Sequence, residues 1–274
     1  MNIPTVILAG GLGTRLREET EFRPKPMVEI GGKPIIWHIM NTYAAYGYSR
    51  FIICLGYKGD SLRDYFLNYR FRSSDFTVTL GTNQIQVHNG HSEHGWRVTM
   101  AETGLKTNTA GRLKRIAKYI NGDLLMVTYG DGVASVDIPR LLACHRDHGK
   151  LATVTAVRPV SRFGELRVRD GLATSFEEKC ESADTWVNGG FMVLHRSVLE
   201  MVRNDSENLE VDILKPLAEA GELGVFHHSG FWQCMDTLRE VELLNRLWDD
   251  GNPPWLARPA GRTQEVSLSA MGGR

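Results

Sequence analysis

Continuous apolar runs alternate with helically spaced apolar residues along the first third of the chain. Residues 5–9 form an apolar, β-branched run that ends at glycines, which is typical of a buried parallel strand leading into a loop. Residues 34–46 carry apolar side chains at helical spacing, with a proline at the start and a glycine just after the end. Residues 50–55 predict a second strand and residues 61–69 a second helix. This alternation predicts a parallel sheet with helices on both faces.

The middle of the chain has a different pattern. Residues 76–80, 84–88 and 97–101 alternate between apolar and polar positions and are separated by turn residues, which predicts a small antiparallel excursion. Asp170-Gly171 lies between residues 165–168 and 173–177 and indicates a hairpin. Helices are further predicted over residues 111–120, 196–203, 211–220 and 238–249, and strands over residues 123–129 and 151–157.

Together these elements predict an α/β fold: a Rossmann-like, mixed and mainly parallel sheet flanked by helices, with a small antiparallel excursion. A chain of 274 residues can form one α/β domain of this size. We expect that domain to span residues 1–255. Residues 256–274 are rich in small and polar side chains and predict a loose tail.

Charge and cysteine content narrow the class of protein. Basic and acidic residues number 32 each, so the net charge predicts neither a nucleic-acid nor a membrane partner, and affinity for phosphate must be local. Cys54, Cys144, Cys180 and Cys234 form no CxxC pair and match no zinc spacing, which favours free thiols in a reducing cytosol. The sequence shows no signal-type start and no apolar run of about 20 residues. We therefore expect a soluble cytoplasmic protein.

The loop GGLGTR follows the first predicted strand and is suited to phosphate, because glycines let backbone N–H groups approach an anion. A Walker loop would need lysine and Ser/Thr where Thr14-Arg15 stands, and a dinucleotide fingerprint would need glycine in place of Leu16. The loop instead carries its own cation. Lys25 adds a second cation between Pro24 and Pro26, whose rings restrict the backbone. A lysine clamped in this way is expected to point at one place.

GGLGTRL followed by PKPM resembles the signature of the sugar-1-phosphate nucleotidyltransferases, and the similarity extends to about Trp255. The stretches WHIM, TYGDGV and GFWQCMDT resemble the glucose-1-phosphate cytidylyltransferase branch in particular. The resemblance implies the nucleotide-diphospho-sugar transferase fold and Mg²⁺-dependent synthesis of CDP-glucose and pyrophosphate from CTP and α-D-glucose-1-phosphate. It also implies a homo-oligomer, often a hexamer.

The same resemblance assigns roles to residues at the nucleotide. Arg15 and Lys25 would be the catalytic cations, with Lys25 reaching toward the α-phosphate and the sugar phosphate. Arg112 would meet the cytosine carbonyl or a phosphate, although it also fits an ordinary basic residue near a helix N-terminus. The nucleotide-binding set implied is Leu8, Ala9, Gly10, Gly11, Leu12, Gly13, Thr14, Arg15, Lys25, Thr107, Gly111, Arg112 and Asp131.

Metal and sugar ligands follow from the resemblance as well. Asp131 and Asp236 would bind Mg²⁺, although Asp131 also fits a turn and Asp236 or Thr237 a helix N-cap. Cys180 stands where the family usually has a proline after its Glu-Lys pair. The sugar-phosphate set implied is Gly164, Glu178, Lys179, Asn188 and Gly189.

The implied chemistry needs cations rather than a proton-transfer catalyst. A phosphate monoester has its second pKa near 6, so the attacking sugar phosphate is already largely dianionic at pH 7. Catalysis should then consist of positioning and electrostatic stabilisation. Two alternatives stay open: the same reaction with UTP, dTTP, GTP or another sugar phosphate, and a non-catalytic sugar-nucleotide sensor.

Overall fold

The computed structural model describes residues 3–11, 13, 16–90, 93, 95–159, 165–169, 172–177 and 185–256. The strands are β1 (Thr5–Leu8), β2 (Glu29–Ile30), β3 (Lys33–Pro34), β4 (Arg50–Leu55), β5 (Phe76–Thr79), β6 (Gln84–Val87), β7 (Arg97–Glu102), β8 (Leu124–Tyr129), β9 (Gly132–Ala134), β10 (Ala152–Val157), β11 (Glu165–Arg169), β12 (Leu172–Glu177), β13 (Val187–His195), β14 (Leu223–His228) and β15 (Trp232–Cys234). The α-helices are α1 (Arg17–Thr20), α2 (Ile35–Ala44), α3 (Gly59–Leu67), α4 (Tyr69–Arg72), α5 (Thr109–Ile116), α6 (Ile138–His148), α7 (Val198–Met201), α8 (Lys215–Glu219) and α9 (Leu238–Asp249). Short 3₁₀ helices span Lys25–Met27, Ala117–Tyr119 and Pro254–Leu256, and a π-helix spans Leu209–Leu214.

Seven of the described strands form the central sheet, in the order β14-β10-β13-β8-β1-β4-β7. Six of them run in the same direction, whereas β13 is antiparallel to both of its neighbours, β8 and β10. Helices cover the sheet, and small two-stranded sheets lie outside it. The predicted mixed, mainly parallel α/β fold is confirmed.

Strand β1 lies between two apolar cores, which explains its continuous apolar run. Ile7 belongs to the core that contains Ile39 of α2, whereas Val6 and Leu8 belong to the core that contains Leu113 of α5. Because β1 pairs in parallel with both β4 and β8, the carboxyl ends of the three strands lie at one edge of the sheet. Ligands of parallel α/β sheets bind at that edge.

The predicted antiparallel excursion is correct for two of its three strands. β5 and β6 form an antiparallel pair, and so do β11 and β12 of the predicted hairpin. The prediction for residues 97–101 is wrong, because β7 pairs in parallel with β4 as an edge strand of the main sheet. An edge strand is partly exposed, so its sequence alternates much as a hairpin strand does.

Helix boundaries follow the caps in the sequence. Helix α9 has the predicted bounds, because Thr237 and Glu240 form a capping box at its start. The predicted helix over residues 196–203 shortens to α7, and the one over 211–220 begins earlier, at Leu209, as a π-helix that continues into α8. No helix in the described residues combines the length and apolarity needed to span a bilayer. The domain boundary at residue 255 stays a prediction, and residues 257–274 of the expected tail lie outside the described residues.

Candidate active site

A cavity of about 290 Å³ opens where the loops after β1 and β8 meet. Nine of the residues assigned to the nucleotide from sequence line it: Leu8, Ala9, Gly10, Gly11, Gly13, Lys25, Thr107, Arg112 and Asp131. It is also lined by Pro26, Asn108, Thr109, Tyr129 and Gly130. Three further predicted residues, Leu12, Thr14 and Arg15, lie outside the described residues. The structure therefore brings most of the predicted nucleotide set together at the carboxyl edge of the sheet.

Two glycines of the loop are required by close contacts. A Cβ on Gly10 would lie 2.1 Å from Nη1 of Arg112. Gly13 has φ of +65°, a left-handed conformation that favours glycine, and a Cβ there would lie 2.7 Å from Cγ2 of Thr20. The Thr20 hydroxyl donates to the Gly13 carbonyl at 3.0 Å. The glycines thus let the loop pack tightly against neighbouring side chains, whereas the space beside Gly11 is open.

Arg112 of α5 fixes the position of the glycine loop. Its Nη1 donates to the Leu55 carbonyl at 2.8 Å and to the Thr103 hydroxyl at 2.7 Å, and its Nη2 donates to the Gly10 carbonyl at 3.0 Å. The residue is only 4% exposed, and burial lowers the pKa of its guanidinium. Arg112 therefore links the ends of β1 and β4 while lining the cavity. Its predicted contact with the base or a phosphate stays a prediction.

Thr107 and Gly111 lie at the start of α5. Thr107 is buried and lines the cavity, and Asn108 caps the helix by accepting from Thr109 N at 2.8 Å. Gly111 packs against the main chain of Asp205, where an added Cβ would lie 2.7 Å from Cα. Glycine at this position therefore allows close packing of α5.

Lys25 points into a pair of carboxylates. Its Nζ donates to Oδ2 of Asp131 at 2.7 Å and to Oδ1 of Asp236 at 2.5 Å, and its side chain is 11% exposed. Pro24 precedes the 3₁₀ helix in extended conformation, and Pro26 is buried against Gly130. Burial by itself lowers the pKa of Lys25, but the two carboxylates raise it above the ordinary lysine value. The lysine is therefore charged, and it is held at one place, as the flanking prolines predict.

A backbone pairing brings the two aspartates together. Strands β9 and β15 are antiparallel, and Met235 N donates to the Asp131 carbonyl at 2.8 Å. The Glu240 carboxylate accepts from Asp236 N at 2.5 Å and from Thr237 N at 2.8 Å, which orients the residue that precedes α9. Thr237 is the helix N-cap, so Asp236 is free of the capping role. The carboxylate oxygens of both aspartates converge, and such hard donors fit Mg²⁺ shared with substrate phosphates.

Cys234 belongs to the same cluster, which its sequence context does not indicate. Its Sγ and one carboxylate oxygen from each of Asp131 and Asp236 all lie within 4.8 Å of one another. Burial raises the pKa of the Cys234 thiol, and the Asp131 carboxylate raises it further. Cys54, Cys144 and Cys234 are free thiols as predicted, and Cys180 lies outside the described residues.

Part of the predicted sugar site lies beside the nucleotide cavity. Asn188 accepts from Gly190 N at 2.9 Å, and Trp232 Nε1 donates to the Gly189 carbonyl at 2.9 Å. Gly190 has φ of +82°, and a Cβ there would lie 2.6 Å from Cδ2 of Tyr129, which lines the cavity. Asn188 and Gly189 therefore lie in strand β13, which contacts the cavity wall through Gly190 and Tyr129. The other predicted sugar ligands, Gly164, Glu178 and Lys179, lie outside the described residues.

Tyr129 and Glu210 form a polar pair that sequence reasoning missed. The Tyr129 hydroxyl donates to the Glu210 carboxylate, which belongs to the π-helix. Burial and the nearby Glu210 charge raise the pKa of Tyr129, so the phenol stays protonated at neutral pH. Glu210 stands among other polar residues in the sequence, so its bond to Tyr129 could not be predicted from the sequence.

Comparisons with known proteins find relatives that match most of the chain. The family model described as nucleotidyl transferase matches residues 4–250. The chain is 51% identical to a protein from Salmonella typhimurium named glucose-1-phosphate cytidylyltransferase, over 91% of this chain and 97% of that protein. A protein of the same name from Salmonella typhi is 50% identical over the same shares. The crystal structure of HddC from Yersinia pseudotuberculosis superposes with a TM-score of 0.66 at 23% identity, over 90% of this chain and 99% of that chain.

Proposed function

The chain belongs to the nucleotidyl transferase family, and we propose that it transfers the cytidylyl group of CTP to glucose-1-phosphate, giving CDP-glucose and pyrophosphate. The strongest support for this proposal is the arrangement of three charged side chains beside the cavity. The Lys25 ammonium and the carboxylates of Asp131 and Asp236 converge beside a glycine-lined cavity, in a chain half identical to named cytidylyltransferases. The earlier resemblance of the GGLGTRL and PKPM stretches to this family is confirmed.

We infer that the triphosphate lies along the glycine loop, because Gly10 and Gly11 line the cavity and glycines let backbone N–H groups approach an anion. An oxygen of the sugar phosphate forms a bond to the α-phosphorus, and the bond from the α-phosphorus to the bridging oxygen of pyrophosphate breaks. The attacking phosphate is already dianionic near neutral pH, so no side chain has to remove a proton. The task left to the protein is to place two anions together and stabilise the charge.

Asp131 and Asp236 are the residues that would hold Mg²⁺, because their oxygens converge and are hard donors. When bound, the ion supplies neutralisation of the triphosphate and leaving-group charge. Lys25 donates to the same two carboxylates, so the lysine and the proposed ion would share these oxygens. In the complex with substrates, the Lys25 ammonium would contact the α-phosphate and the incoming sugar phosphate.

The sugar is expected beside Asn188 and Gly189, on the wall that Tyr129 shares with the nucleotide cavity. Asn188 accepts from Gly190 N through its Oδ1, and its side chain also bonds to Tyr129, so Asn188 is held in place beside the proposed sugar position. The contacts predicted for Arg15, Gly164, Glu178 and Lys179 remain part of this proposal.

A matrix of nucleotides against sugar phosphates tests the function most broadly. Pyrophosphate release is measured for CTP, UTP, dTTP and GTP with several sugar-1-phosphates, with and without Mg²⁺. We expect CTP with glucose-1-phosphate and metal to be the fastest pair. A faster rate with another nucleotide would overturn the base assignment, and tight binding of CDP-glucose without turnover would identify a sensor.

We also propose a homo-oligomer, hexameric by resemblance, that acts in the cytoplasm. The β5–β6 hairpin supports assembly, because Phe76, Val78 and Ile85 are 40–49% exposed on it. Light scattering on the full chain and on Ile85→Lys tests this, with a hexamer expected for the first and a smaller species for the second. A monomeric full chain would contradict assembly, and cell fractionation tests the location.

A further inference from the structure

The thiol of Cys234 and two carboxylates form a mixed cluster beside the nucleotide cavity. Sγ of Cys234 and one oxygen each from Asp131 and Asp236 lie within 4.8 Å of one another. In the described part of the chain, this is the group of three or more metal-ligating side chains that is compact enough to hold an ion. Two hard donors are thus joined by one soft donor.

The backbone holds the three residues in place. Cys234 pairs with Gly132 in the β9–β15 ladder, next to Asp131. Met235 N donates to the Asp131 carbonyl, and the Glu240 carboxylate accepts from Asp236 N. The three ligand-bearing residues therefore lie on one paired segment, and their donor atoms are already close together.

We propose that Asp131, Cys234 and Asp236 form a binding site for a thiophilic divalent cation, of the Zn²⁺ or Cd²⁺ class, that competes with Mg²⁺. Two carboxylates alone favour Mg²⁺, whereas a thiolate favours softer ions, and Mg²⁺ gains little from sulfur. Binding itself is independent of the proposed function. Its consequence, inhibition of nucleotidyl transfer, rests on that function.

Charge balance favours this mode of binding. Two carboxylates and the Lys25 ammonium leave one net negative charge in the cluster. On coordination the thiol loses its proton to the buffer, so a divalent ion and a thiolate together bring the cluster to neutrality. An ion that uses one coordination position on sulfur keeps fewer positions for triphosphate oxygens. We therefore expect it to slow transfer rather than support it.

Titration of the metal-free full chain with Cd²⁺ tests binding, read from the ultraviolet charge-transfer absorption of a cadmium–thiolate bond. Cys234→Ser should lose the absorption band. Its affinity for Cd²⁺ should fall by more than the roughly 10–100-fold that is typical when a group hydrogen-bonded to a metal ligand is removed. Asp236→Asn, which keeps the thiol, should also weaken Cd²⁺. The matched control is Cys144→Ser in α6, a free cysteine away from the cluster, which should behave as the unaltered chain.

Competition between Mg²⁺ and Cd²⁺ tests whether the two ions bind at the same site. Excess Mg²⁺ should raise the apparent Kd for Cd²⁺ in the unaltered chain. The proposal would be overturned by any of three results. These are an absorption band and a Kd for Cd²⁺ that are unchanged in Cys234→Ser, no band in the unaltered chain, and no effect of Mg²⁺ on the Kd for Cd²⁺.

A separate activity measurement tests the consequence. At fixed Mg²⁺, Zn²⁺ should inhibit the unaltered chain at much lower concentration than Cys234→Ser, each compared with its own rate without zinc. Equal inhibition would overturn the inhibitory role. Cadmium binding at Cys234 in a chain without transferase activity would instead refute the proposed function and leave the metal site standing.

Discussion

Two buried cations line the cavity, and their partners differ in charge. Arg112 donates three hydrogen bonds to neutral oxygens, those of Leu55, Thr103 and Gly10. Lys25 donates to two carboxylates, those of Asp131 and Asp236. The first cation keeps its full charge while being fixed in position. The charge of the second is more than neutralised by its two carboxylates.

This difference separates the two cations by role. Arg112 holds the glycine loop in place, and its proposed role is to keep that loop in the shape that would receive the triphosphate. We propose that Lys25 would contact phosphate only in the complex with substrates and metal, because in this structure its ammonium bonds to both carboxylates.

Removing a carboxylate should have the largest effect on turnover. Asp131→Asn and Asp236→Asn each keep the shape of the side chain but remove charge from the proposed metal site. We expect metal-dependent pyrophosphate release to be abolished in both variants. Full activity in either variant would remove that residue from the site.

Loss of Lys25 should lower the rate while the protein remains folded. Lys25→Ala is expected to reduce kcat by about 10²–10³-fold, or about 2.7–4 kcal/mol, as for one donor that stabilises transition-state charge. Steady-state kinetics and thermal unfolding are measured on the same preparation. Near-normal turnover with native stability would reject the catalytic role.

Replacing Arg112 should affect stability and nucleotide binding more than the rate of the chemical step. Arg112→Lys keeps the charge but loses the planar fork, leaving buried acceptors unsatisfied at about 1–3 kcal/mol each. We expect a lower free energy of unfolding in chemical denaturation and a raised KM for the nucleotide. Unchanged stability would show that the three hydrogen bonds do not hold the loop.

Two neighbouring glycines provide a matched pair. The methyl group in Gly10→Ala would collide with the Arg112 guanidinium, whereas Gly11→Ala points into open space in the cavity. We expect the first to lower the melting temperature without ligand, and the second to raise only the KM for the nucleotide. Equal stability of both variants would contradict the packing described for Gly10.

The pH dependence of stability arises away from the cavity and leaves turnover near neutral pH unaffected. Burial lowers the pKa of His38 and His145 from 6.5 to about 4, so unfolding takes up protons below pH 6.5. Stability should be full above pH 6.5 and fall as the pH drops toward 4. Lys25, whose pKa is raised above 10.5, should instead lose its contribution only as the pH rises through that raised value. The free energy of unfolding, measured with denaturant between pH 4 and 8, checks the predicted loss of stability in acid. In His145→Gln this free energy should depend less on pH.

Local patterns predicted the parts of the site that are local in sequence. The glycine loop, and Lys25 held between two prolines, are short patterns with a direct backbone consequence. The meeting of Asp131 with Asp236 could not be predicted without the family resemblance, because it depends on the pairing of β9 with β15. Cys234 joins the cluster through that same long-range pairing.

The errors in the fold prediction lie at an edge strand of the sheet and at a π-helix, where the structure also depends on contacts that are distant in sequence. β7 has the alternation of a hairpin strand, and only its pairing with β4 distinguishes it. Glu210 lies in a π-helix whose period differs from the α-helical spacing used to predict residues 211–220. Its bond to Tyr129 therefore had no signature in the sequence.

The transfer of Lys25 from carboxylates to phosphate is the central claim, and a crystal structure with CTP and Mg²⁺ tests it most directly. We predict a triphosphate along the loop of residues 8–13, metal on Asp131 and Asp236, and Lys25 Nζ turned toward the α-phosphate. A triphosphate bound away from that loop, or Lys25 still bonded to both carboxylates with the metal elsewhere, would contradict it.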